Sequence, residues 1–530
     1  MKTTKIILSI AAALLAFASC NKFLDEMPDN RAELNTTDKV KAILGSAYTF
    51  TDYQMITELL SDNMDNNAAV VTSEAGRFYD EIWGYKDGVE SNNESPERVW
   101  DNNWGAIANA NQALEAIAEM GGPDANPELA GSYGEALIAR AYAHFSIVNI
   151  FCLMYNPLTS ATDQGIPYME APEQGLNPQY ERGNVAEVYE KIERDIEEGL
   201  KYVGDDYDVP KYHFNRQAAY AFAARFYLYY GKYQRAIECA TECLGSAPAN
   251  MLRNYDELQA NYATIATARA AYNSSDQKSN LLLQTGYSNQ GLFWGNYSGA
   301  YKYYGFTGNI ATTESFMAPT PWSNGSTLAA SAFRWRPRTY NSSALQYIIF
   351  WKIDYEFEYT DPVAGIGYRR TVYPAFTADE CLLNRAEAYI LSNQFDKACE
   401  DLNLWCNNMY TASVNLTPES LKTFYDSVPY YEWKAPTQKK HLNPKFEWAG
   451  EGTVQEAMLH FVLNCRRTET MGLGQRWFDL KRYGIVIYRR VVDGIAQVDH
   501  ITDEIGPDDL RLAVQIPQKA RDAGFEPNKR

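Results

Sequence analysis

The chain has 530 residues, and its 46% hydrophobic and 22% charged content is a globular composition that excludes a wholly disordered protein. Acidic residues outnumber basic ones by 67 to 48, which gives a formal charge of −19 and argues against a protein that wraps nucleic acid, because phosphate binding requires a basic face. Aromatic residues make up 14% of the chain, including 39 tyrosines, and this load needs an explanation.

The N-terminal residues have the pattern of a secretion signal. Two lysines precede an apolar run over 6–18, which suits the core of a signal peptide and is too short to cross a bilayer as a helix. Small residues then meet Cys20, as at a bacterial lipoprotein cleavage site. We expect a signal peptide over 1–19, lipid on Cys20 and a lipidated tether over 20–37. A plain signal peptide with a chance cysteine is the alternative.

Helical periodicity, with apolar residues at i, i+3 and i+4, begins near Asp38. Two connections, 231–237 and 393–399, share a turn residue tolerant of positive φ, then an aromatic residue and an alanine. This template is typical of the tight turn between paired helices of a tetratricopeptide-like repeat. The strongest predicted helices span 97–120, 128–155, 184–203, 215–230, 233–244, 377–392, 394–410, 453–467 and 475–490.

The intervening segments differ in composition. Residues 246–374 and 411–452 are rich in Asn, Gly, Ser, Pro and aromatic residues, and short strands are expected at 281–285, 346–354 and 368–373. Aromatic density argues against disorder. The predicted fold is mostly α, a tetratricopeptide-like helical-pair scaffold with a large irregular loop-rich lobe and a few short strands. Its regions are an N-terminal helical region over 38–245, an irregular aromatic-rich ligand lobe over 246–374, and a C-terminal helical region over 375–530 with an inserted loop over 411–452.

Cysteine and metal-ligand patterns are weak. The cysteines other than Cys20 are odd in number and irregular in spacing, which does not indicate a disulfide framework, so we expect buried free thiols. Cys239 and Cys243 lie four apart on a predicted helix, but no second pair or nearby histidine completes a metal site. An acidic cluster over 205–208 lacks the spacing of a known calcium loop.

Motifs for catalysis are sparse. The five histidines are scattered, and no His-Glu-x-x-His, Gly-x-Ser-x-Gly or P-loop motif occurs. Carboxylates such as Asp62 and Asp65 could form an acid/base pair, but sequence alone cannot place two of them at the separation that a glycosidase needs.

A sugar-binding interpretation explains more of the aromatic load. Sugars are held by an aromatic plane against the apolar ring face and by amide or carboxylate groups at the hydroxyl edge. Two stretches, 83–104 and 287–322, offer both residue types. Core packing is the alternative for each ring, and it is favoured for Trp100 and Trp104, four apart on a helix. The candidate ligand-binding residues are Trp83, Tyr85, Asn102, Trp294, Asn296, Tyr297, Tyr304 and Trp322.

Three segments, taken in order, point to a known family. They are Cys20 to Pro28, with its Phe-Leu-Asp; residues 466–482, with Arg-Arg-Thr-Glu and Gly-Gln-Arg-Trp-Phe-Asp-Leu-Lys-Arg; and residues 511–518, with a closing Ile-Pro. With the dispersed helical repeats between them, the chain resembles the SusD/RagB family of surface lipoproteins over essentially its whole mature length.

The resemblance implies a SusD-like fold and a binding protein that is not an enzyme and has no cofactor. It implies capture of an oligosaccharide and its delivery to a SusC-like TonB-dependent transporter, on an outer membrane reached through the lipid on Cys20 and facing the cell exterior. Within 466–482, we expect Glu469, Arg476 and Asp479 to form charge-assisted hydrogen bonds that lock the last helices onto the scaffold.

Three other functions remain open at this point. A peptide ligand, as in the RagB-like branch, would favour a site rich in backbone donors. A lipid-anchored glycosidase would need two correctly spaced carboxylates. A pure tetratricopeptide-like scaffold would bind no small ligand.

Overall fold

A computed structural model provides the structure of the chain. It describes residues 34–51, 53–69, 71, 76–88, 91–173, 175, 180–260, 264–295, 303–323, 332–335, 338–341, 346–349, 352–353, 356–493 and 497–530. The predicted signal peptide, Cys20 and most of the tether lie outside the described residues, as do the candidate residues Asn296 and Tyr297.

Long helices form the N-terminal part of the fold, close to where the periodicity predicts them. Ser95, Asn184 and Asn215 each accept a backbone N–H from the first turn of the helix that follows, which satisfies a donor with no partner inside the helix. The elements are α1 (Thr37–Leu44), α2 (Gln54–Leu60), β1 (Asp65–Asn66), α3 (Arg77–Trp83), α4 (Pro96–Glu119), α5 (Gly122–Ala125), α6 (Ala130–Phe151), α7 (Val185–Tyr202), α8 (Arg216–Tyr230) and α9 (Tyr233–Leu244).

The lobe that follows mixes strands with short helices. The strands predicted at 281–285 and 368–373 lie within β2 and β7, and the one predicted at 346–354 begins as β5. The elements are α10 (Tyr255–Ala260), α11 (Ile265–Tyr272), β2 (Asn280–Tyr287), α12 (Gln290–Phe293), β3 (Tyr304–Gly305), a π-helix (Ile310–Glu314), β4 (Arg338–Asn341), β5 (Gln346–Ile349), β6 (Glu356–Asp361) and β7 (Ile366–Thr377).

Helices return in the C-terminal part. The prediction of a helix over 475–490 is wrong beyond residue 482, because Gly484 turns the chain at φ +55° and the β-branched run after it pairs as a strand. The elements are α13 (Ala378–Leu391), α14 (Phe395–Met409), α15 (Pro418–Ser427), α16 (Val454–Glu469), α17 (Gln475–Arg482), β8 (Ile487–Val492), β9 (Val498–Ile505) and α18 (Gln518–Asp522). Short 3-10 helices lie at Pro127–Leu129, Pro210–Tyr212, Pro248–Asn250 and Leu510–Leu512.

Paired helices make up the scaffold, as the turn template predicts. Gly231 at φ +78° joins α8 to α9, and Asn393 at φ +56° joins α13 to α14. In the pair α6 and α7, a Cβ at Gly134 would lie 2.4 Å from the backbone nitrogen of Val203, so only glycine allows this approach. The two predicted pairs are therefore confirmed. The close approach of α6 and α7 requires a glycine at position 134.

The strands join parts of the chain that are distant in sequence. One sheet has the order β3-β1-β8-β9, with β1 antiparallel to β3 and parallel to β8. A second has the order β2-β7-β6, and β4 pairs with β5. The first sheet thus connects the N-terminal region, the lobe and the C-terminal region.

One continuous hydrophobic core runs through these regions. Its largest buried side chains include Trp405 and Trp477, which are at most 1% exposed. All cysteines of the described residues are buried free thiols, as expected. Within the same residues, no helix combines the length and the apolar character needed to cross a membrane.

Segment 466–482 lies at the centre of the fold. Arg476 donates two hydrogen bonds of 2.8 Å to Asp62, which follows α2. Asp479 lies 3.3 Å from Arg466 of α16. Glu469 accepts a hydrogen bond from the buried indole N–H of Trp405 in α14. These contacts confirm that the three residues lock the last helices onto the scaffold.

Gly474 sets the contact between α17 and α2. It adopts φ +75°, and a Cβ there would lie 2.3 Å from Thr57 Oγ1 and 2.9 Å from Gln54 Cα. Its N–H donates to Glu58 at 3.0 Å. The backbone can approach α2 this closely only because no side chain intervenes.

Gly474→Ala should therefore destabilise the protein by more than left-handed strain alone. Strain costs about 1–2 kcal/mol and overpacking about 1–3 kcal/mol more. Gly450→Ala is the matched control, since Gly450 has φ +90° and nothing within 4 Å of the added Cβ. Chemical denaturation should show the larger loss of unfolding free energy for Gly474→Ala, and equal losses would contradict the packing argument.

A buried lysine also ties α17 to α6. Lys481 Nζ donates to the carbonyl oxygens of Asn149 at 2.6 Å and Cys152 at 3.0 Å, and no carboxylate of the described residues pairs with it. It lies 4.3 Å from the centre of the Trp477 ring. Burial lowers the pKa of Lys481 to about 7.

This pKa makes stability depend on pH in a defined direction. An unfolded lysine titrates near 10.4, so between about pH 7 and 10 the unfolded chain binds more protons and the folded state gains stability as pH rises. Lys481→Met should remove that gain. The measurement is the wild-type minus variant difference in unfolding free energy at pH 7, 8.5 and 10, which should grow with pH; a flat difference would refute a titrating Lys481.

Candidate functional site

A wide groove lies between the lobe and the inserted segment 411–452. Its volume is about 1120 Å³. We call it the Trp322 groove after the predicted ligand-binding residue among its described lining residues. The described lining residues are Thr312, Thr313, Pro319, Thr320, Pro321, Trp322, Ser323, Ala332, Ala412, Phe424, Ser427, Val428, Pro429, Pro436, Thr437 and Gln438.

The π-helix supplies one wall. Thr312 Oγ1 donates to Gly308 O at 2.8 Å, and Thr313 Oγ1 donates to Asn309 O at 2.7 Å. Each hydroxyl thus uses its hydrogen on the backbone and keeps its lone pairs as acceptors. Single π-turns occur frequently at functional sites, which agrees with this position.

Trp322 stands on a rigid turn. Thr320 and Ser323 exchange backbone hydrogen bonds of 2.9 and 3.1 Å, so the N–H groups of both are satisfied. The half-buried indole packs edge-on against Tyr410 and Phe461, with ring centres 5.2 and 6.1 Å apart. These contacts fix the orientation of the ring while part of it stays accessible.

The inserted segment supplies the opposite wall. Gln438 Nε2 donates to Pro319 O at 2.6 Å, and Gln438 Oε1 accepts from Asn464 at 2.9 Å. Thr437 Oγ1 donates to Pro429 O at 2.8 Å. The first of these bonds crosses from one wall to the other, so the width of the groove is set by the fold.

A buried group of charges lies beneath the groove. We call it the charge cluster; it comprises Asp62, Asp65, Glu314, Lys440, Arg467, Arg476 and Arg490. Glu314 is the last residue of the π-helix, and Lys440 follows the groove wall by two positions. The cluster therefore anchors both walls.

Direct ion pairs connect the members of the charge cluster. Lys440 Nζ lies 2.7 Å from Asp62 and 2.8 Å from Glu314, and Arg490 pairs with Asp65 at 2.7 Å and with Glu314. Burial alone would raise the pKa of Asp62, but its cationic partners outweigh that effect and hold it well below the usual range. These carboxylates are structural counter-ions, closed to solvent.

The cluster has four cations against three carboxylates, and this imbalance predicts unequal effects of mutation. Glu314→Gln leaves a larger excess of buried positive charge and should cost about 3–5 kcal/mol. Lys440→Met balances the charges and should cost less. Chemical denaturation of both variants tests this, and a Lys440→Met loss equal to or above that of Glu314→Gln would contradict it.

The structure brings four of the predicted residues together, in the core. Trp83, Tyr85, Trp294 and Tyr304 are at most 7% exposed. Trp83 and Tyr304 stack with ring centres 4.9 Å apart, and the Trp294 indole donates to Tyr304 O at 3.0 Å. Arg489 lies over the Trp83 and Tyr85 rings at 5.2 and 5.4 Å. Protein atoms cover these rings here, and their role as ligand contacts stays a prediction.

Asn102 lies apart from this aromatic group. It lies on α4, and its side-chain amide donates a hydrogen bond of 2.5 Å to Thr51 Oγ1. On the same helix, Trp100 is buried in the core, as expected, and Trp104, one turn later, is half-buried and packs against that core. Both rings line a second cavity of about 470 Å³, closed on another side by Phe525.

Sequence reasoning missed most of the Trp322 groove. It identified Trp322 but not Thr312, Thr313 or Gln438, and it did not predict α10, α11 or α15, since these helices are short. The prolines on either side of Thr320 were the available signal, because they mark a fixed turn that holds the tryptophan beside it.

The carboxylates that the sequence offered for metal or acid/base chemistry lie in structural contacts. Within the described residues, no group of three or more His, Cys, Asp or Glu side chains could hold a metal ion. Asp62 and Asp65 are buried in ion pairs of the charge cluster. Asp205 accepts the backbone N–H of Arg216 at 3.0 Å.

Comparison with known proteins shows what the chain resembles. Residues 22–228 match the SusD-like family described as "Starch-binding associating with outer membrane". No curated protein matches the sequence. The predicted resemblance to the SusD/RagB family is confirmed, and the helical architecture is the SusD-like fold.

Solved structures share this fold at low sequence identity. A SusD superfamily protein from Bacteroides thetaiotaomicron has 18% identity and a TM-score of 0.62, over 93% of this chain and 100% of its own. A SusD-like carbohydrate binding protein from Bacteroides vulgatus has 15% identity and a TM-score of 0.60, over 92% and 96%. A laminarin binding SusD-like protein has 17% identity and a TM-score of 0.57, over 93% and 99%.

Proposed function

We propose that the protein binds oligosaccharides in the Trp322 groove and passes them to a SusC-like TonB-dependent transporter, without covalent chemistry. The observation that carries this proposal is the lining, where a fixed indole meets hydroxyl and amide groups. An indole packs against the C–H face of a sugar, and the threonine oxygens accept from its hydroxyls. The volume of about 1120 Å³ exceeds the range of about 300–1,000 Å³ usual for small-molecule pockets, which suits a chain of sugars.

Backbone chemistry favours a sugar over a peptide. Binding of an extended peptide depends on free main-chain donors and acceptors along an edge. Four of the lining residues are prolines, which have no N–H, and the N–H groups of Thr320 and Ser323 are already bonded. The RagB-like alternative is therefore the less favoured one.

Binding without hydrolysis fits the same lining. Glycosidases place two carboxyl groups beside the scissile bond, and none of the described lining residues has one. Glu314 adjoins the groove in sequence, but Lys440 and Arg490 hold it in the charge cluster.

The wider role rests on the family and on the sequence. The family description names starch binding and the outer membrane, and one structural relative is described as binding laminarin. The predicted lipid on Cys20 would hold the protein at the outer membrane, facing the cell exterior. Transfer to a SusC-like transporter follows from the family resemblance and completes the proposal.

Titration calorimetry of the wild type and Trp322→Ala against a panel of oligosaccharides tests the binding proposal. Trp322→Ala should weaken binding of any ligand found by about tenfold or more, because a central aromatic contact is lost. Trp104→Ala is the matched control, a half-buried tryptophan in the second cavity.

Three results would count against the proposal. If no oligosaccharide binds the wild type, the proposal that the protein binds sugars is wrong. If Trp104→Ala abolishes binding and Trp322→Ala does not, the site is the second cavity. If new reducing ends appear on incubation with a glycan, the protein is an enzyme.

A further inference from the structure

The described lining of the Trp322 groove carries no charged side chain, although charged residues adjoin it in sequence. Glu314, Asp426 and Lys439 each stand directly beside a lining residue. On a chain in which 22% of the residues are charged, an uncharged surface of this extent is a specific property of the groove.

Each adjoining charge has a partner outside the described lining. Glu314 pairs with Lys440 and Arg490 in the charge cluster. Asp426 pairs with Lys422, one turn earlier on α15. Lys439 Nζ donates to the carbonyl oxygen of Tyr425 at 3.0 Å and is buried. The described lining therefore offers no cation to a ligand, although cations lie close by.

We infer that the groove selects uncharged oligosaccharides and rejects those that carry uronate or sulfate groups. This inference rests on the proposed function and deepens it by naming the ligand class. A sugar hydroxyl that leaves water finds acceptors in the groove, but a carboxylate finds no cation among the described lining residues and loses its hydration without return. Selection of this kind works through the penalty on the wrong ligand.

Two sources of discrimination against anions must be separated. The formal charge of −19 repels any anion at long range, and salt screens that effect. The lack of a cation among the described lining residues acts at contact distance inside the groove, where added salt changes little. The response to ionic strength therefore distinguishes the groove from the net charge.

The experiment uses three forms of one ligand: the neutral oligosaccharide found in the panel, the same chain oxidised at C6 to the uronate, and the methyl ester of that uronate. The ester keeps the added atoms and removes the charge. Affinities are measured for the full chain at low salt and at about 0.5 M salt, where the screening length is only a few ångströms.

The neutral parent and the ester should bind with affinities within about threefold of each other, and the uronate about 30-fold or more weaker at both salt concentrations. Recovery of uronate binding in high salt would overturn the inference in favour of net charge. Equal loss of ester and uronate would overturn it in favour of a steric cause.

A pair of variants at Ser427, the exposed last residue of α15, directly tests the lack of a cation in the described lining. Ser427→Arg adds a cation to the rim, and Ser427→Gln adds neutral bulk. The ratio of uronate to parent affinity should rise about tenfold or more in Ser427→Arg and stay unchanged in Ser427→Gln. Equal ratios in the two variants would contradict the inference.

Failure of the inference and failure of the proposed function give different results. If uronates bind as tightly as the parent and Trp322→Ala weakens both, the groove binds sugars but does not select by charge. If neither neutral nor anionic oligosaccharides bind, the proposed function fails and the inference fails with it.

Discussion

Burial of seven charged side chains in one cluster is the constraint on which the rest of the structure depends. Charges taken out of water are costly, and only good geometry with opposite partners repays that cost. Here the partners come from the turn after α2, β1, the π-helix, the inserted segment, α16, α17 and β8. Each ion pair of the cluster joins residues from different elements, so these elements must assemble together before every buried charge has an opposite partner.

The same constraint places the groove. The π-helix ends on Glu314 and cannot move without breaking its ion pairs, and the opposite wall is held by Lys440, two positions after Gln438. The groove is thus built on residues that are fixed for reasons of stability. A preformed site of this kind loses less entropy when a ligand binds than a site made of free loops.

Long helices and their turns could be predicted because periodicity and turn chemistry are local properties of a sequence. The partner of Arg476 could not, since Asp62 lies 414 positions away and only the assembled fold brings the two together. Local context also misled. Trp83 and Trp294 each stand beside a glycine, which favours exposed loops, but both are buried in contact with Tyr304. Trp322 could be predicted because the two prolines that flank Thr320 fix the turn locally.

The hydrogen bond from Gln438 to Pro319 joins two walls that come from separate insertions into the helical scaffold. Lining side chains such as Thr313 and Ser427 belong to these insertions and take no part in the ion pairs that hold the fold. Substitution at positions such as Thr313 and Ser427 therefore leaves the ion pairs of the fold intact. In evolutionary terms, the proposed binding surface can diversify rapidly while the framework beneath it is preserved, and one architecture can acquire many specificities by changing a few lining positions.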